Sequence, residues 1–289
     1  MKDNRFKLTG LIAVALLAVG VGLGYAAQRF HDSNASGIGA GGSAPPENRL
    51  GLDIDLLLMN VVTRWQQADA LTADVNWQVH LFEHTLQGIG EYTQSGRGPL
   101  QRHGVILKST DPAAPMFFQQ AVLASEPVVW TQWKTSLDES ASMVRLDDLA
   151  HAHPQMPRAG IAHLIWRLQQ SYAFTSIEPV MQGERQLLLV RGTKRRDAEN
   201  DEGLLPFLDQ QANGASLLLD AASGFPHRIQ WESVESNRRT PLVTVDLIRV
   251  RAGVSPNSQL LSPTTIVPDA TDQTEAYQMA VTSGAGGHY

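Results

Sequence analysis

The 289-residue chain contains no cysteine, which excludes disulfides, thiolate catalysis and Cys-based zinc sites. It also lacks a basic excess. Its 23 Lys and Arg face 29 Asp and Glu for a net charge of -6, so no nucleic-acid partner is expected, because phosphates require a basic surface. The GxSxG, SxxK, HExxH and P-loop signatures are absent too, and with them the usual marks of nucleophilic, metal-hydrolytic and nucleotide chemistry. Glu83, Glu91, Asp147 and Asp148 fall on alternating wet faces or in loops, where carboxylates are ordinary surface charge, and nothing puts a nucleophile beside a base. The chain therefore reads as a non-enzyme without a cofactor.

Nine histidines raise the question of a metal. His80 and His84 have the i, i+4 spacing of a helical zinc pair, but on one strand they would stand about 13 Å apart, too far for ligand bonds near 2 Å. His151 and His153 precede Pro154 in a loop with an incomplete ligand set. No metal site is expected.

What remains is ordinary globular composition, 43% hydrophobic and 18% charged, with enough chain for one domain of roughly 200 residues held together by packing alone. Lys2, Arg5 and Lys7 precede an uncharged run, Leu8 to Ala27. At 1.5 Å per residue such a run spans a hydrocarbon core of about 30 Å, with the basic flank in the cytoplasm. Residues 1–7 then form a cytoplasmic stub and 8–27 a transmembrane anchor. Gly24 and Ala26 also satisfy a small-x-small cleavage site, which leaves a cleaved signal as the alternative. In either case the rest is exported, and the anchor reading gives a single-pass inner-membrane protein with its main domain in the periplasm. Gly20 and Gly24 make a GxxxG, more simply read as the small residues common in membrane helices. Residues 28–50 are a Gly/Ser/Ala/Pro-rich flexible linker with a reach of about 25 Å. Within it, Gly37, Gly39 and Gly42 match GxGxxG without the strand and helix that a dinucleotide site needs.

The domain proper, 51–253, opens with Asp53 as a helix cap, followed by Ile54, Leu57, Leu58, Val61, Val62, Trp65 and Ala68 at helical spacing. Next comes TADVNWQVHLFE, Thr72 to Glu83, in which apolar Ala73, Val75, Trp77, Val79 and Leu81 alternate with polar residues. That is a strand with one dry face. Fainter alternation predicts strands over Thr85–Gln94, with a bend or bulge at Gly88 and Gly90, and over Gln101–Ser109, Met116–Ala124, Pro127–Lys134 and Ser142–Leu146. A second amphipathic helix is marked by Ile161, Leu164, Ile165, Leu168 and Tyr172. Strands resume at Ala173–Glu178, Arg185–Thr193, Ala215–Asp220, His227–Val234 and Leu242–Val250. Between them, Lys194 to Glu202 reads as a charged loop with a short helical piece near Leu204. Residues 254–289 read as a partly disordered extension.

The resulting class is mainly β (α+β). About ten antiparallel strands with one apolar face and only two helices to cover it must curl into an incomplete barrel around those helices, a shape that suits a greasy cavity. Val75, Trp77, Val79 and Leu81 on the opening strand, Leu107 and Trp130 on later strands, and Ile161, Leu164, Ile165 and Leu168 on the second helix are the cavity candidates.

Several segments together resemble the LolA-like family of periplasmic lipoprotein carriers and its relatives that sort or sense lipidated material. They are LLLMNVVTRWQQADALTADV, GIGEYTQS, VVWTQW, LDDLAHAHPQMPRAGIAHLIWRLQQSYAF, LLVRGTK and SLLLDAASGFPHRIQW. The resemblance implies an incomplete antiparallel barrel with a helical lid over an apolar cavity that takes lipid or lipoprotein acyl chains. An anchor at 8–27 makes this a membrane-tethered, divergent member, with protein partners in the envelope. The family's lid-latching Arg falls on Arg97 or Arg102. The alternative is a non-catalytic scaffold or sensor in which the same fold has a packed core.

Overall fold

The computed structural model describes residues 51–81, 84–97, 101–112, 115–122, 129–134, 140–146, 160–195, 211–236, 238–256, 258–261 and 269–275. The expected anchor, the linker, His151, His153, Asp147, Asp148, Glu83 and the segment around Leu204 lie outside these residues.

Helix α1 (Ile54–Gln66) starts where Asp53, in extended backbone, accepts the Leu56 N–H on its carboxylate at 3.0 Å, satisfying one donor the first turn leaves free. Ile54, Leu58, Val61, Val62 and Trp65 are buried, whereas Leu56 and Met59 face outward. Helix α2 (Gly160–Ser171) runs straight into a strand at Tyr172. Tyr172 belongs to that strand and not to the helical stripe, because the alternation of YAFTSI takes over there.

The strands are β1 (Ala70–Leu81), β2 (His84–Ser95), β3 (Arg102–Ser109), β4 (Phe117–Val122), β5 (Val129–Lys134), β6 (Ser142–Leu146), β7 (Tyr172–Gln182), β8 (Arg185–Lys194), β9 (Gly214–Asp220), β10 (Pro226–Glu235), β11 (Arg238–Ala252) and β12 (Thr271–Asp272). All twelve form one sheet in the order β12-β6-β5-β4-β3-β2-β1-β11-β10-β9-β8-β7. Two antiparallel meanders, one on each side of α2 in the chain, are therefore joined by β1 against β11, with Val75 opposite Leu247 and Val79 opposite Val243. The edges β12 and β7 do not pair, so the sheet stays open.

Laid flat, twelve strands at about 4.8 Å would be about 53 Å broad, while two helices side by side cover about 20 Å. The sheet curls instead, and its concave face joins both helices in one continuous apolar cluster reaching from Met116 and Phe118 to Ile177 and Val190.

At Gly88 and Gly90 the neighbouring strands leave no room for a side chain. A Cβ on Gly88 would stand 2.0 Å from the Lys108 carbonyl oxygen and 2.5 Å from the Trp77 ring, and one on Gly90 would stand 2.1 Å from the Ile106 carbonyl oxygen. No bulge occurs there: β2 keeps unbroken register with β1 and β3, so the glycines supply room and not an extra residue. Bulges lie instead at Thr72/Asp74, Phe174/Ser176, Pro226/Arg228 and Trp231/Glu232.

After Gly253 the chain returns to the convex face, where Leu260 is buried with its carbonyl over Gly104. Strand β12, not foreseen from sequence, then pairs parallel with β6. It covers that edge, leaving fewer free backbone groups there.

Candidate binding site

Residues directly opposite across a ladder share a face, so the register assigns each side chain. The rows Leu107–Gly90–Val75–Leu247 and Gly88–Trp77–Val245–Ile229–Leu217–Val190–Ile177 both lie on the concave side. Val75, Trp77, Val79, Leu107, Ile161, Leu164, Ile165 and Leu168 are brought together there, eight of the ten expected residues in one cluster, none more than 2% exposed. Leu81 is placed as the last residue of β1, and its side chain is outside what the structure describes. Sequence reasoning missed Phe118, Ile177, Leu217, Ile229 and Val245 on the same face. Their signal was the same alternation, on strands whose partners across the sheet the sequence does not name.

Trp130 requires a correction. It stands opposite Ala121 and Arg145, and through Gly104 and Thr93 it shares the convex face with Thr72. The Arg145 guanidinium covers its ring at 5.3 Å, a cation–π contact. Trp133, three residues on and so of opposite parity, is the indole of β5 that packs on the concave cluster.

At one end of the concave side, a buried polar group ties the helices to the sheet. Gln94 Nε2 donates to the carbonyls of Trp65 at 2.8 Å and Ala68 at 3.2 Å, and Gln101 Nε2 to that of Trp65 at 3.1 Å, satisfying carbonyls that the end of α1 leaves open. Tyr92 donates to Gln94 Oε1 at 2.9 Å and lies 3.0 Å from His103 Nδ1. With the phenol proton given to Gln94, His103 donates through Nδ1–H. The Ile161 N–H at the start of α2 points to the same phenol oxygen at 3.4 Å.

Burial pushes the Tyr92 phenol well above the ordinary tyrosine range. Burial, and secondarily the nearby His163, pulls His103 down to about 3; both groups are thus neutral at pH 7. Gly160 makes the contact possible. Its φ is +79°, and a Cβ there would stand 2.3 Å from His103 Nδ1.

Neither arginine expected to latch the helices does so. Arg97 pairs with Asp69 in the link between α1 and β1, and Arg102 is exposed at the start of β3. The clamp is neutral, made by Tyr92, Gln94, Gln101 and His103. Nor do His80 and His84 stand at the straight-strand separation expected. Strand β1 ends at Leu81, and His84 opens β2 across the hairpin, while His80 Nδ1 is 2.9 Å from the Thr85 hydroxyl. Among the described residues no group of three metal-ligating side chains occurs.

The convex face carries the charge. Arg228 meets Asp246 at 2.5 Å, Arg191 meets Glu178 at 2.6 Å, and Arg239 meets Glu232 at 2.6 Å, while Glu91 and Asp74 stand opposite one another on this side. The arginine–carboxylate contacts are ion pairs between neighbouring strands on the convex side, and the Ser216 hydroxyl donates to Glu232 at 2.8 Å.

No family model and no curated protein matches the sequence. Among solved structures, the chain is similar to LprF from Mycobacterium bovis, with a TM-score of 0.41 and 12% identity over 76% of this chain and 99% of that one. It is also similar to a LolA superfamily protein from Nitrosomonas europaea, with a TM-score of 0.29 and 10% identity over 73% and 99%. An uncharacterized conserved protein from Thermus thermophilus gives a TM-score of 0.44 and 10% identity over 75% and 98%. The architecture itself is an open, curled, mainly antiparallel sheet with both helices set into its concave side.

Proposed function

We propose that this protein is an extracytoplasmic binding protein, tethered to the inner membrane through residues 8–27, whose concave face holds lipid or the acyl chains of a lipoprotein for sorting or trafficking. The observation that carries this reading is the continuous apolar concave face, which spans both meanders and has only two short helices set into it among the described residues. A fold that needed only a core would gain little from so broad a dry surface, whereas a methylene chain lying along it gains about 0.8 kcal/mol per buried CH2. Neutral polar contacts at one end of the helices suit a cover that must come away. Such bonds contribute about 1 kcal/mol each, and opening them exposes no buried charge.

The test is direct. Full-length protein purified without added lipid is extracted and analysed by mass spectrometry, then titrated with a fluorescent fatty-acyl probe. Co-purifying lipid, or saturable probe binding displaced by unlabelled fatty acid, is the expected result. If neither is seen in folded protein, the reading is wrong.

One observation favours the alternative, a scaffold or sensor with a packed core: Val75, Val79, Leu107, Leu164 and Ile165 are fully enclosed without any ligand. Trp77→Glu separates the two readings. Lost probe binding in a protein that still folds supports the acyl site, and global unfolding supports the packed core.

A further inference from the structure

Helix α1 is apolar on two sides. Ile54, Leu58, Val61, Val62 and Trp65 turn inward to the concave cluster. On the other side Leu56 and Met59, neighbours at i, i+3, are 55% and 61% exposed, and Leu52, just ahead of the Asp53 cap, is 43% exposed. One turn beyond Met59, Thr63 gives its hydroxyl to the Met59 carbonyl at 2.9 Å, so that hydroxyl is satisfied within the helix. The remaining exposed large hydrophobics among the described residues, Ile89, Met181, Ile248 and Val254, stand singly on other segments, where isolated apolar residues are ordinary. The charges beside the ridge in sequence are acidic, Asp53 and Asp55, and the one cation of α1, Arg64, donates to the Ala222 carbonyl at 3.0 Å.

We propose that Leu52, Leu56 and Met59 form a bilayer-docking ridge that seats α1 on the outer surface of the membrane holding residues 8–27. The inference rests on the tethered acyl-binding reading above and adds where the ligand is exchanged. The occupant follows from the chain itself. The uncharged run Leu8 to Ala27 and the linker 28–50 lead to Gly51, one residue before the ridge begins, and an average linker reach of about 25 Å keeps that end close to the bilayer. A stable protein interface takes about 800 Å² from each partner, more than three part-exposed side chains supply. A bilayer needs no matching shape, and a tether keeps the local concentration high, so a weak contact suffices. Because the neighbouring charges are acidic, the contact is made by apolar insertion and not by attraction to anionic lipid. Seated this way, α1 has lipid against its outer side and the concave face against its inner side.

The experiment uses the full-length chain in phosphatidylcholine vesicles. Since the chain has no cysteine, a single environment-sensitive NBD label is placed at Met59→Cys on the ridge or at Lys108→Cys, exposed on the convex face. The label at 59 is expected to shift its emission to the blue and to be quenched by doxyl-labelled lipid, while the label at 108 keeps its aqueous emission. Leu56→Ser in the Met59→Cys background should lower the seated-to-free ratio about 5- to 10-fold at unchanged melting temperature, and adding phosphatidylglycerol should not strengthen the signal. An aqueous, unquenched label at 59 in chains that float with the vesicles overturns the inference and leaves the tether and acyl binding intact. Equal quenching at 59 and 108, or a signal that requires anionic lipid and vanishes in high salt, overturns it as well. Energy transfer between copies labelled at 59 that rises with chain density, without quenching by doxyl lipid, identifies contact between copies and also overturns it. If the chain does not float with the vesicles, the tether and this inference fall together.

Discussion

His103 is enclosed by Tyr92 and Gly160, and its pKa is pulled down from 6.5 to about 3 by burial. The unfolded chain takes up this proton near pH 6.5, and the folded chain only near pH 3. Between those values the unfolded state holds the additional proton, so stability falls as pH falls, by about 1.4 kcal/mol per unit. The contribution is complete above pH 6.5 and declines continuously toward pH 3. Going from pH 6.5 to 4.5 should remove about 2 kcal/mol through this one residue, a sizeable share of a typical stability of about 5–15 kcal/mol.

The assay is urea denaturation followed by tryptophan fluorescence at pH 7.5, 6.5, 5.5 and 4.5, for wild type and His103→Gln. Glutamine keeps a neutral donor toward Tyr92 and cannot titrate. Asp220, whose desolvation is outweighed by the hydrogen bonds from Ser223 and Ala222 together, and Asp272, held low by hydrogen bonds from Thr274, have carboxyls below the usual range; their contributions also decline in acid, but equally in both proteins. The difference between the two pH slopes therefore isolates His103. The variant should be flatter by about 1.4 kcal/mol per pH unit below 6.5. Coinciding slopes would refute the neutral, enclosed state of His103 and with it the geometry of the clamp.

Gly88→Ala puts a methyl against the Lys108 carbonyl and the Trp77 indole; a loss of about 2–3 kcal/mol with a shifted tryptophan emission is expected on denaturation. Asp53→Ala removes the Leu56 N–H acceptor and should cost about 1 kcal/mol, read as a lower urea midpoint at unchanged m-value. Arg239→Met leaves Glu232, 7% exposed, with only the Ser216 hydroxyl. A loss of about 3 kcal/mol at pH 7 is expected, read as a lower urea midpoint; an unchanged midpoint would show that the pair contributes nothing to stability.

Much of the fold was legible because its signals are local. The Asp53 cap, the stripe from Ile54 to Trp65 and the alternation through Val75, Trp77 and Val79 each need only neighbouring residues, and each appears where its pattern placed it. The clamp was not legible. Tyr92, Gln94, Gln101 and His103 look like ordinary members of strands and loops, and only the docking of both helix ends over β2 and β3 makes them a unit.

Two indoles show where the boundary lies. The sequence by itself determined that Trp130 and Trp133 point to opposite faces, because side-chain parity within a strand is fixed by covalent geometry. It likewise determined that one face of the sheet is dry and that two helices are too few to cover it flat. Which indole lies inside was decided only by the chain of pairings from β5 through β1 to β11, where Val75 meets Leu247. Register between distant strands depends on how whole faces pack, and a slip of one residue exchanges inside for outside.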